Sequence, residues 1–177
     1  ACFTVHSVAA VKYVDASASG TTHDGSSWAN AWTNVTAMTG LKAGDTVYIS
    51  GGPHGSTQTY SFADSFSNIS GYTEGTTGSP VTYKIGQDAA HNGTAIFNQT
   101  SKGSGYGYFI YGASNVIFSG DAADGSKHFA LGGTFEGLVV LQGTDANVRL
   151  SYFELGTLPY IGTINPANHV EIDNLNI

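Results

Sequence analysis

The chain has 177 residues, enough for one domain with a sizeable core, and is 41% hydrophobic and 12% aromatic but only 11% charged. Six Lys and Arg against 13 Asp and Glu leave a net charge of −7, which offers no basic surface to nucleic acid. No apolar run approaches the roughly 20 residues of a membrane span, and the single cysteine, Cys2, excludes an internal disulfide. No secretory signal is visible, so any such segment is expected to have been removed. Ala1 before Cys2 argues against lipidation, leaving an ordinary thiol or an intersubunit disulfide.

Residues 1–14, ACFTVHSVAAVKYV, place Phe3, Val5, Val11 and Tyr13 on one parity and predict one or two strands. Residues 1–11 form an N-terminal extension to a single domain that spans 1–177. A turn-rich loop, DASASGTTHDGSS, follows. In SSWANAWTNVTAMTGLKAGD the period changes. Trp28, Trp32, Val35, Met38 and Leu41 fall at steps of four and three, which predicts a helix over 27–39. Ser26 or Ser27 can cap its start and Gly40 its end.

From there the pattern is β. TVYIS carries Val47 and Ile49 on one face, VTYKI carries Val81, Tyr83 and Ile85, and TAIFN carries Ile96. YFIYGASNVIFSG, LVVLQGTDANVRLSYFELG and YIGTINPANHVEIDNLNI then repeat one plan: a short apolar strand, a turn with Asn, and a second strand. Their anchors Val116, Val148 and Val170 lie 32 and 22 residues apart. Self-similarity at that spacing means a solenoid. Strands this short, without a regular LxxLxL frame, point to an all-β parallel β-helix of about five coils rather than to a leucine-rich repeat. Val47, Ile49, Val81, Ile85, Ile96, Val116, Val148 and Val170 should fill it, with both tryptophans over the first coil.

Three segments in order, KYVDASASGTTHDGSSWANAWTNV, LKAGDTVYISGG and GTTGSPVTYKIG, resemble the opening of right-handed parallel β-helix proteins of the pectate-lyase-like superfamily. The likeness covers roughly 12–98, and it implies an amphipathic helix capping the first coil. It also implies an extracellular or cell-surface location. Lyases, glycoside hydrolases, phage tailspikes and anchored bacterial surface proteins share that opening, so it speaks for fold before function. The lyases hold Ca²⁺ on several Asp and use Arg or Lys as base; the hydrolases use an Asp cluster with a His and an Arg-x-Lys segment. This chain has one arginine, Arg149, and no Asp-Asp, Gly-His-Gly or Arg-x-Lys.

Arg149 has two readings. It can stack against Glu171 on the next rung, about 4.8 Å away, as an ion pair; or it can serve as a base flanked by Asp145, Glu171 and Asp173. The first is preferred. GDAADGSKH (120–128) reads as a turn, with a calcium loop as the alternative, because it lacks the alternating carboxylates of an EF-hand. No other cofactor is implied, and the six His show no metal-ligand spacing. Tyr106, Tyr108, Tyr111, Tyr152 and Tyr160 can stack inside the coil, bury against a partner, or stack on sugar rings. Asn34, Asn68, Asn92 and Asn98 stand in Asn-x-Ser/Thr sequons, which matter only where glycosylation machinery exists.

The favoured function is a non-catalytic extracellular structural or adhesive β-helix. The alternatives are a polysaccharide lyase or hydrolase, whole or in part, acting on acidic polysaccharide, and a trimeric tailspike-like receptor binder. The closing HVEIDNLNI leaves Val170, Ile172, Leu175 and Ile177 as a strand with nothing after it to cover it. Either the chain continues in a longer solenoid, or a partner covers that end. Residues 1–10, with Cys2, Phe3 and Val5, are the candidate cover, joining copies head to tail by strand addition.

Overall fold

Alternation with a period of two decides most of the architecture. Val47 and Ile49 are fully buried while Thr46 and Tyr48 are half-buried, and Val81, Tyr83 and Ile85 bury between Thr82 and Lys84 in the same way. The computed structural model describes residues 8–103, 107–156, 160–165 and 168–176, without the side chains of 160, 163, 165 and 168. In it these runs form three parallel sheets.

The largest has six strands, ordered β1 (Val11–Val14), β2 (Thr46–Ile49), β4 (Val81–Ile85), β7 (Ser114–Ser119), β10 (Ala146–Ser151) and β13 (Asn168–Asp173). The second contains β3 (Thr57–Phe62), β5 (Thr94–Gln99), β8 (Phe129–Gly133) and β11 (Phe153–Glu154). The third contains β6 (Tyr108–Tyr111), β9 (Gly137–Gln142) and β12 (Tyr160–Asn165). The chain passes from one sheet to the next and returns, so each circuit stacks on the one before. The result is a parallel β-solenoid of about four turns. The repeated valines fix its register: Val81 pairs with Val116, Val116 with Val148, and Val148 with Val170.

Aromatic rings fill the interior. Phe66 touches Phe62, Tyr83, Phe97, Phe109 and Phe118 at centroid distances of 5.2 to 5.7 Å. Tyr83 stacks on its register partner Phe118 at 4.7 Å and 15°. Such pairs contribute about 0.5–1.5 kcal/mol each beyond area burial. The buried Tyr83 hydroxyl is satisfied by the backbone of Thr73, accepting from its N–H at 2.9 Å and donating to its carbonyl at 3.0 Å. Burial pushes this phenol well above its ordinary range.

The expected helix over 27–39 does not form. Its place is taken by irregular chain with one 3-10 turn at Val35–Ala37. Trp32 makes a parallel bridge with Val14 instead: its N–H donates to the Tyr13 carbonyl at 3.0 Å, and the Asp15 N–H donates to its carbonyl at 2.9 Å. The open edge of β1 therefore takes the backbone groups that a helix would have paired internally. Asn30, Thr33, Asn34, Thr36 and Thr39 are weak helix formers, and the Asn34 side chain caps the Thr36 N–H. Trp32, Val35, Met38 and Leu41 still seal the end of the first coil. Trp28 does not lie over it; it sits on the outer flank.

Three further expectations change. Ile96 is half-buried, and Ala95 and Phe97 face the core in its place. In β1 it is Val14 that buries, while Val11 is 47% exposed and Tyr13 half-buried. Val11 belongs to the first coil, and Ala10 is tied to it by hydrogen bonds to Asp45 and Thr46. Val170 packs against the core but is only partly buried, as are Ile172 and Leu175.

Candidate functional site

The outer face of the six-stranded sheet carries two rows set by register. One runs Val11, Thr46, Thr82, Ile117, Arg149, Glu171; the other runs Tyr13, Tyr48, Lys84, Ser119, Ser151, Asp173. The second row starts on two aromatic residues, Tyr13 and Tyr48, and both rows end on acidic ones, Glu171 and Asp173.

At the ionic end, Arg149 Nε lies 3.5 Å from Glu171 Oε2, and Nη2 lies 3.1 Å from Asp173 Oδ2. All three side chains are well exposed, so the pairs contribute little to stability, in the range of about 0.2–1 kcal/mol. The guanidinium is thus engaged by two carboxylates on the neighbouring rung. Asp145 stands apart from this group. It closes a turn by accepting from the Gln142 N–H at 2.8 Å, and it lines a separate hollow with Tyr111.

Arg149 borders two hollows. One, of about 340 Å³, includes Asn115, Asn147, His169 and Glu171; the other, of about 320 Å³, includes Lys84, Asp121, Ser151 and Tyr152. Asn115, Asn147 and His169 repeat one left-handed backbone position at φ 56, 56 and 54, a conformation that Asn tolerates. The Asn147 amide donates to Asn115 Oδ1 at 2.8 Å, forming a ladder between rungs.

At the aromatic end, Tyr13, Trp28 and Tyr48 with Gln87 and Asp88 line a hollow of about 300 Å³. Trp28 lies flat on His91, with centroids 3.8 Å apart and planes at 6°. His91 Nδ1 lies 2.6 Å from Asp88 Oδ1, and Nε2 lies 3.5 Å from Asp15 Oδ2. Asp15 is buried and accepts from the Ser17 N–H and hydroxyl and from the Gln58 amide at 2.7 to 2.9 Å. Burial works against the charge on Asp88, but bonds from His91, the Ala90 N–H and the Trp28 indole prevail and hold its carboxyl below the ordinary range.

The structure thus brings Arg149, Glu171 and Asp173 together but disperses the tyrosines. Tyr111 and Tyr152 border different hollows, and Tyr108 is half-buried on β6. Tyr106 and the side chain of Tyr160 lie outside the described residues, as do Cys2, Phe3, Val5 and Ile177. In the 120–128 loop, Asp121 and Asp124 accept from the N–H groups of Ala123 and Ser126, as turn residues do. Among the described residues no three His, Cys, Asp or Glu side chains converge as metal ligands, and no helix is long and apolar enough to cross a membrane. Asn34 and Asn98 both bond to Ser61, and Asn68 is the most exposed sequon. Asn92 is half-buried.

Sequence reasoning missed the aromatic cluster. A signal was present: Tyr13-Val14 and Tyr48-Ile49 are the same outward-inward pair one coil apart. No family model matches the chain, and no curated protein or solved structure matches it. Strand order and register define its class, a parallel β-solenoid.

Proposed function

We propose that this protein is a non-catalytic structural and adhesive β-solenoid of the cell exterior whose copies assemble end to end. The observation that carries the reading is the contrast between its last two coils. Val148 and Leu150 are sealed, whereas their partners Val170 and Ile172 are only partly buried, and Ile161 and Ile164 on β12 are 37% and 45% exposed. The last described coil offers apolar side chains on which a further coil can stack, whether it comes from a continuation of this chain or from another copy. Addition there is heterologous and builds a filament unless it closes into a ring. The engaged state of Arg149 supports the non-catalytic part, and the likeness of residues 12–98 to exported β-helices supports the location.

Of the expected donor, residues 1–10, Ala10 is held by its own first coil, so we assign the donor role to residues 1–7. Deleting residues 1–7 should leave a folded β-rich monomer that no longer polymerises. Assembly undiminished by the deletion contradicts the donor role. Release of unsaturated products from polygalacturonate or alginate with Ca²⁺ contradicts the non-catalytic reading. A discrete trimer favours the tailspike-like one.

A further inference from the structure

We infer that the outer corner of the first coil is a binding site for a neutral pyranose ring of an oligosaccharide. Tyr13 from β1, Tyr48 from β2 and Trp28 from the loop between them converge there. Tyr13 lies 4.7 Å from Trp28 and 6.1 Å from Tyr48, the latter pair within 28° of parallel. All three rings are only half-buried, although the solenoid interior holds many fully buried aromatics.

Aromatic faces suit the C–H faces of a sugar, and a few placed polar groups then fix its hydroxyls. Gln87 and Asp88 supply those groups at the rim of the hollow. The Gln87 amide nitrogen is committed to the carbonyls of Ile85 and Asp121 at 2.8 and 3.0 Å, which leaves its oxygen to accept from a hydroxyl.

The corner is also braced. Trp28 is clamped by the flat His91 ring on one side and by Asp88 Oδ2, which accepts its indole N–H at 3.1 Å. His91 is in turn lodged between Asp88 and the buried Asp15. A surface tryptophan held this firmly binds with less ordering cost. The ligand class follows from charge. Asp88 is the ionised group at the rim, and it repels uronates. Lys84, one rung further along the row, faces a different hollow with Asp121.

Emission reads this site directly, because the chain has two tryptophans and the other, Trp32, is 3% exposed. The full chain would be titrated with cellohexaose, xylohexaose, mannohexaose and, as the acidic comparison, hexagalacturonate. The expected result is a saturable change in Trp28 emission with at least one neutral oligosaccharide. Tyr48→Ala, with circular dichroism unchanged, should weaken that binding about tenfold. Trp28→Phe should abolish the signal, leaving the emission of Trp32 unresponsive. Three results would overturn the inference: no neutral oligosaccharide binding at millimolar concentration, preference for hexagalacturonate, or wild-type affinity in Tyr48→Ala.

Discussion

Leu141 and Ile164 are register partners on adjacent coils, yet Leu141 is fully sealed and Ile164 is 45% exposed. The difference predicts different responses to truncation. Leu141→Ala leaves a cavity and should cost about 2–5 kcal/mol. Ile164→Ala removes a side chain that is nearly half in water already and should cost clearly less, about 1 kcal/mol. Urea unfolding of dilute protein measures both. Equal losses would mean that Ile164 is covered in the isolated chain.

Arg149→Gln removes both ion pairs to Glu171 and Asp173. Because all three groups are exposed, the loss should stay below about 1 kcal/mol in chemical unfolding and shrink in salt. A much larger loss would show that the ladder is a structural anchor.

Asp88 ties its charge to fold and site together. Its carboxyl is held below the ordinary value of 3.8, so its contribution is present above that value and is lost as pH falls through the lower folded value. Denaturant midpoints measured from about pH 5 down to about pH 2 should therefore drop more steeply in wild type than in Asp88→Asn. Trp28 emission should shift over the same interval. Parallel curves would remove Asp88 from the account of the corner.

Gly93→Ala tests the backbone approach that seats the His91 loop. A Cβ there would meet the carbonyl oxygens of Gly51, Pro53 and Ser56 at 2.4, 2.6 and 2.7 Å, none of which can swing aside as a flexible side chain would. The expected loss is at least about 2 kcal/mol. Gly125→Ala meets nothing within 4 Å and should cost less, from its left-handed φ of 78 alone.

The solenoid was legible because its signal is local and repeated. Alternation around Val47, Val81 and Val116 marked the strands, and the recurring valines anticipated the pairing of Val148 with Val170 and of Arg149 with Glu171. The cap was misread because Trp32, Val35 and Met38 have helical spacing whether or not a helix forms; an edge strand needing partners decided between the two. TAIFN was ambiguous because Ile96 and Phe97 are both apolar, and only the rings around Phe66 select Phe97. The aromatic corner was hidden for another reason: Tyr13, Trp28 and Tyr48 come from three segments, brought together only by stacking of the coils.

End-to-end assembly is read by sedimentation velocity of the full chain across a hundredfold concentration range, beside Ile164→Lys. End-to-end assembly predicts a wild-type distribution that extends to larger polymers as concentration rises. The folded Ile164→Lys protein should stay monomeric, because a charge at position 164 must be desolvated by any copy that stacks on β12. A wild-type chain that remains monomeric throughout, or an Ile164→Lys chain that polymerises equally, would contradict it.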